Sequence, residues 1–231
     1  MIKAVIFDLD DTLYKELDYV RQGFWNVAQS LNVDDTERVY QRMNQLLDTQ
    51  GRGKIFDVIC QEWRLNLPIK QLVDAYRDTQ PMLSMYEDAE ELVGMLRQRG
   101  LKIGVITDGC SKVQHNKMNA LSLEKCMDVL VATDDLGKDT NGEMLCKPNP
   151  KVYEYALDKL ACKPQEAIYI GDNPKKDFIG AKQLGMQTIR IIREIGDHMQ
   201  DVADDLHEAD WTVQDLREVK QLLFGLQQNG V

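Results

Sequence analysis

No two cysteines in this chain are spaced as CxxC, and the five present, Cys60, Cys110, Cys126, Cys146 and Cys162, are odd in number and scattered. That excludes a disulfide framework and fits reduced thiols, so the expectation is a cytoplasmic protein. Histidine is scarcer still, and His115, His198 and His207 stand too far apart to suggest a zinc site. The first apolar run breaks at Asp8, too short for a signal peptide or a membrane span. Positive charge is in deficit: 28 lysines and arginines face 38 acids, giving a net charge of −10. That balance argues against generic binding to nucleic acid or to a membrane surface, and any anion must be held by individual lysines. Internal repeats and low-complexity stretches are also missing. What remains is ordinary globular material of 231 residues, 43% hydrophobic, enough for one large domain or one domain with an insertion.

The stretch that organises the rest is Ala4-Val5-Ile6-Phe7-Asp8-Leu9-Asp10-Asp11-Thr12. A short apolar run ended abruptly by acids reads as a buried strand delivering carboxylates to its carboxyl end. In an open α/β sheet that end is where ligands bind. Asp8 and Asp10 are two apart, so in a continuing strand both point to one face. Two anions held that close need a cation, or one must carry a proton. Such a pair suits a hard metal such as Mg²⁺, with one carboxylate free to act as nucleophile. Taken alone, a solvated acidic turn reads as well.

From Lys15 to Gln80 the pattern is helical. Val20, Phe24, Val27 and Leu31 recur at helical spacing, as do Val39, Met43 and Leu46, then Ile55, Ile59 and Trp63. Pro68 starts a further helix with Leu72 and Tyr76 inside. This predicts a small helical bundle inserted after the first strand. Arg52, beside Gly51 and Gly53, lies in a basic loop that either touches a substrate or is a solvated turn.

From Met85 helices and strands alternate. Strands are expected over Leu101–Ile106, Asp128–Ala132, Ala167–Ile170, Thr188–Ile192 and Trp211–Val213. Ser111 is expected to cap the helix after the second strand, and a closing helix to run from Leu216 to Leu226. Gly137 to Glu143 reads as a surface turn or hairpin. Alternation implies right-handed crossovers and a doubly wound parallel sheet of the α/β class. Asp8, Asp10, Thr107, Asp134 and Asp172 all follow apolar strands, so they should converge on one rim, with Lys147 nearby. Carboxylates, one hydroxyl, one ammonium and glycine-flanked amides make an inventory for phosphoryl transfer.

At this point the chain resembles the haloacid dehalogenase-like hydrolases. Asp8-Leu9-Asp10-Asp11-Thr12 matches the family's DxDxT. Thr107 follows its strand, Lys147 stands in Lys-Pro, and Gly171-Asp172-Asn173-Pro174-Lys175-Lys176-Asp177 matches GDxxxxD. The resemblance implies a Rossmann-like core from residues 1–14 and 82–231, with residues 15–81 as a helical cap. It further implies that Asp8 attacks phosphorus to form an aspartyl-phosphate, and that Asp10 is general acid and then base, holding a proton in a crowded position. Mg²⁺ would be held by Asp8, the Asp10 carbonyl and Asp172, with Asp177 a weaker ligand, an orienter of Lys147 or a helix cap. Thr107, with the Asp108 and Gly109 amides, would hold phosphate oxygens, and Lys147 would neutralise charge.

Asp108 departs from the Asn common in relatives, and its carboxylate is expected to turn away from phosphate and bond locally. The second acid, Asp10, favours ester hydrolysis over dehalogenation, so the expected partner is a small phosphate ester, a sugar phosphate or a nucleoside monophosphate. A sugar-phosphate mutase shares these residues, and a phospho-receiver or idle binding protein is the reading from another class. Nothing in the sequence specifies an oligomeric state.

Overall fold

The computed structural model describes residues 1–224. They form two compact units, Met1–Glu16 with the chain from Leu83 onward, and Leu17–Met82. After β1 (Ala4–Phe7) come four helices, α1 (Glu16–Ser30), α2 (Thr36–Gln50), α3 (Ile55–Glu62) and α4 (Ile69–Arg77). They bury one apolar cluster in which Phe24, Val39, Met43, Leu46, Ile59 and Leu72 are central. These are the positions whose 3.6-residue spacing marks one face of each helix.

The chain then supplies α5 (Glu87–Gln98), β2 (Lys102–Thr107), α6 (Ser111–Ala120), β3 (Val129–Ala132), α7 (Pro150–Leu160) and β4 (Ala167–Gly171). It continues with α8 (Ile179–Leu184), β5 (Gln187–Ile191), β6 (Trp211–Val213) and α9 (Val219–Phe224). The six strands form one sheet in the order β3-β2-β1-β4-β5-β6, every pairing parallel. This is a doubly wound, Rossmann-like α/β fold. Strands buried on both faces need continuous apolar runs, and β1 is buried at all four positions. Ala4 and Ile6 face a cluster containing Val152, Tyr153, Ala156 and Leu160 of α7. Val5 and Phe7 have the opposite parity and are also fully buried. Each such side chain contributes roughly 2 kcal/mol on burial. That exceeds the spread of about 1 kcal/mol in strand propensity, so packing decides the strands.

The ends of this unit are tied by one part-buried guanidinium. Arg193 donates to Asp88 Oδ2 (2.6 Å) and to the Thr12 carbonyl (2.8 Å), and it stacks 4.0 Å over the Tyr86 ring. Asp88 Oδ2 also accepts the Leu216 N–H (2.8 Å), so three distant segments meet at one carboxylate.

Three local expectations change. Ser111 is the first residue of α6, not its cap, and its N–H is donated to Asp134 Oδ2 at 2.9 Å. The parallel sheet brings the turn after β3 beside the start of α6, and a carboxylate there satisfies an orphan donor. Asp134 is thereby engaged at the helix and does not join the other acids. The closing helix begins as a 3-10 turn, Leu216–Glu218, pinned by reciprocal bonds between Asp215 and Glu218, before α9. Its last two expected residues, 225 and 226, lie outside the described residues. The stretch after β3 does form a hairpin, closed by a Lys138–Met144 bridge.

Gly180 sets how closely α8 approaches the loop before α7. A Cβ there would lie 2.1 Å from the Pro148 carbonyl oxygen and 2.8 Å from the Tyr153 ring. Gly180→Ala should therefore force the two apart and destabilise the fold by about 2 kcal/mol. Urea denaturation checks this, and an unchanged midpoint would mean that the loop yields without cost.

Candidate active site

β1 and β4 are neighbours at the centre of the sheet, where the strand order reverses. Outside the carboxyl ends of strands at such a point, open α/β sheets take ligands. The ladder carries on for one residue, Asp8 N–H donating to the Ile170 carbonyl (2.8 Å), and this fixes Asp8 at the mouth of the crevice. Lys147, from the loop before α7, is buried with its ammonium directly against the Asp8 carboxylate. The same ammonium donates to Asp177 Oδ1 (2.8 Å) and to the Tyr169 hydroxyl (3.1 Å). Asp177 Oδ2 accepts the Asn173 N–H (2.9 Å). Asp177 thus bridges Lys147 and the turn after β4, and α8 starts after Phe178 with no side-chain cap.

Asp172 completes the cluster. It is 3% exposed, and among the described residues its carboxylate makes no hydrogen bond or salt bridge. Oxygens of Asp8, Asp172 and Asp177 all lie within 4.8 Å of one another. Three buried carboxylates and one ammonium leave surplus negative charge. Burial is the largest effect on Asp8; with the Asp177 charge it outweighs Lys147 and pushes the carboxyl up to about 7. Burial, then the charges of Asp177 and Asp8, push Asp172 well above the usual range. Burial acts against the Lys147 charge, yet Asp177 and Asp8 hold its pKa above the ordinary lysine value. This donor set fits a hard divalent cation. Both Asp177 oxygens are engaged, by Lys147 and by a backbone amide, which leaves Asp8 and Asp172 as the carboxylates that could face such a cation. A second acidic group, Asp11, Glu16 and Asp197, differs, since Asp11 already accepts the backbone N–H groups of Glu16 (2.9 Å) and Asp197 (3.1 Å).

Asp10 lies in another environment. Its Oδ1 accepts from the Tyr14 hydroxyl (2.5 Å), and Lys117 Nζ sits 2.7 Å and 2.9 Å from its two oxygens. Burial alone would raise Asp10, but the Lys117 charge and the bonds from Lys117 and Tyr14 hold its carboxyl below the usual range. The crowding expected to favour a proton is outweighed. Lys117 and Tyr14 were not singled out by the sequence reading. The available signal was a lysine in register with Val113, Met118 and Leu121, since an ammonium on a buried face needs a partner.

On the other flank Thr107 ends β2, buried and paired with Ala132. The Asp108 carboxylate accepts from Thr133 Oγ1 (2.8 Å) and the Lys147 N–H (3.1 Å), with Lys176 Nζ at 3.3 Å. These partners are remote in sequence, unlike the local bonding expected. Burial opposes ionisation of Asp108, but Lys147 and Lys176 together keep its carboxyl below the usual range. Gly109 has φ +120°, and a Cβ there would meet Gln114 Nε2 at 2.7 Å, so conformation and space both call for glycine. Burial pushes the half-buried Cys146 thiol up, which disfavours its reactive thiolate form. Arg52 belongs to the helical unit, where with Phe24, Phe56 and Tyr76 it lines a pocket of about 230 Å³.

Fold and site define a Rossmann-like α/β enzyme with an acidic, lysine-bridged centre at the carboxyl rim of its sheet. The family model for haloacid dehalogenase-like hydrolases matches residues 5–191, and the chain belongs to that family. It is 28% identical over 240 residues to a glyceraldehyde 3-phosphate phosphatase of Methanocaldococcus jannaschii, covering 99% of this chain and 100% of that protein. A glyceraldehyde 3-phosphate phosphatase of Methanopyrus kandleri is 31% identical, covering 89% of this chain and 90% of its own. Among solved structures, a HAD phosphatase from Thermococcus onnurineus aligns with TM-score 0.61 and 26% identity, over 97% of this chain and 99% of that one.

With Asp8 raised to about 7 and Asp172 also pushed up, a cation entering the site must displace protons. Below the Asp8 value of about 7 the site is partly protonated, so cation affinity should rise as the pH rises through it. Calorimetric titration of Mg²⁺ at about pH 6 in two buffers of different ionisation enthalpy should show roughly one or more protons released per ion. A pH-independent affinity with no proton release would place the cation elsewhere.

Proposed function

We propose that the protein is a Mg²⁺-dependent phosphatase that hydrolyses the phosphate ester of a small metabolite through an aspartyl-phosphate on Asp8. The observation that carries this is the contrast between Asp8 and Asp10, two residues apart on one strand end yet held by different lysines, Lys147 and Lys117. Two carboxylates in separate environments allow one to attack while the other handles protons. When bound by Asp8 and Asp172, with the Asp10 carbonyl, Mg²⁺ supplies the positive charge that keeps Asp8 ionised and offsets the phosphate.

In this reading an Asp8 oxygen attacks phosphorus as the ester P–O bond breaks, and the departing oxygen takes a proton from Asp10. Water then attacks the aspartyl-phosphate, Asp10 takes a proton from that water, and inorganic phosphate leaves with Asp8 restored. The substrate's own negative charge raises the proton affinity of Asp10 against the pull of Lys117. Lys147 balances the nucleophile's charge. Thr107 and the amides of Asp108 and Gly109 hold phosphate oxygens. The Asp108 carboxylate is already neutralised by Lys176, so its presence beside that loop is compatible with an anionic ligand.

The relatives that act on glyceraldehyde 3-phosphate support a small phosphorylated metabolite, with a three-carbon sugar phosphate ahead of larger sugar phosphates and nucleoside monophosphates. The helical unit, residues 15–81, is read as the cap that selects among them, with Arg52 a substrate contact. Free thiols at all five cysteines support a cytoplasmic location. Among the described residues, no helix is long and apolar enough to cross a membrane.

Phosphate release from a panel of phosphometabolites, with and without Mg²⁺, tests the reading. Turnover should need the metal and fall by roughly 10³-fold or more in Asp8→Asn. Metal-independent release, or an active Asp8→Asn protein, would reject it. Transfer of the phosphoryl group to a second sugar hydroxyl without release would point to a mutase.

A further inference from the structure

Lys117 lies in α6 with its side chain 3% exposed. Its ammonium touches both oxygens of Asp10 and lies 3.7 Å from Glu16 Oε1. Tyr14 holds the same carboxylate from a third direction. Gln114, three residues earlier and so on the same helix face, places Nε2 2.6 Å from the Asp108 carbonyl and 3.5 Å from Asp10 Oδ2. Gln114 is 3% exposed as well. One rigid helix thus carries two buried side chains to a carboxylate more than a hundred residues away in sequence, and its first turn follows directly on Thr107-Asp108-Gly109. An exposed pair of this kind would impose little order, whereas a buried ammonium gripping both oxygens of a part-buried carboxylate restricts it to one orientation.

We propose that Lys117 is a positioning residue for Asp10. It fixes the carboxylate in one orientation and locks it, through α6 and the Gln114 strap, to the loop that receives the phosphate. Acid/base group and phosphate loop then share one frame, and a small misplacement of either lowers the rate. This rests on the role given to Asp10 above.

The test is a double-mutant cycle on the full-length protein with Mg²⁺ and the best substrate from the panel. Lys117→Met should lower kcat by about 10-fold or more while KM changes by less than about 3-fold, and Lys117→Arg should restore most of the loss. In an Asp10→Asn background, adding Lys117→Met should change kcat by less than about 3-fold, because the group it positions is already gone. An equal loss in both backgrounds, or no rescue by arginine, would overturn the inference and leave Lys117 a packing residue. Should Lys117→Met not fold, Lys117→Gln carries the same comparison. If Asp10→Asn alone leaves kcat unchanged, the mechanism assigned to Asp10 fails first, visibly and without any Lys117 variant, and the inference falls with it.

Discussion

The buried ammonium of Lys147 is the contact on which the site depends. It joins three segments that are separate in sequence: the end of β1 through Asp8, the loop before α7 through its own backbone, and the turn after β4 through Asp177. Each of these charges loses water on burial, and only mutual contact offsets that loss. One ammonium does not balance Asp8, Asp172 and Asp177 together. The imbalance shows as an Asp8 carboxyl raised to about 7 and an Asp172 carboxyl pushed well above its usual range, and it makes the crevice a place that favours a further cation.

Sheet topology explains why these groups meet. Parallel strands present all their carboxyl ends on one rim, and the reversal of strand order between β1 and β4 opens the crevice beside Asp8. The loops that close on it are held by tight approaches, such as Gly180 against the Pro148 carbonyl. Buried hydrogen bonds do the same work, such as that from the Lys147 N–H to Asp108. The turns of the rim are thus packed against the helices that follow them.

A chain carrying ten more negative than positive charges has concentrated scarce cations where they matter. Lys147, Lys117 and Lys176 each meet a different aspartate, Asp8, Asp10 and Asp108. Neighbouring carboxylates therefore titrate apart: Asp8 is pushed up by burial that Lys147 does not overcome, and Asp10 is pulled down by Lys117 and Tyr14. Such separation allows two chemically identical side chains to take different parts in one reaction.

The amino-acid sequence alone determined the strands, the helices and the acidic residues at the strand ends, because hydrophobic period and run length are local properties of the chain. Asp8, Asp10, Thr107 and Asp172 stood out by their place after apolar runs, and Lys147 and Asp177 by the family resemblance. What that reading missed depends on distance. Lys117 and Asp10 are 107 residues apart, Asp108 and Lys147 are 39 apart, and Ser111 and Asp134 are 23 apart. Only the register of parallel strands and the packing of α6 bring such pairs together. Those pairings then settle which carboxylate is raised, which is lowered and which merely caps a helix, since a buried charge answers to its neighbours in space.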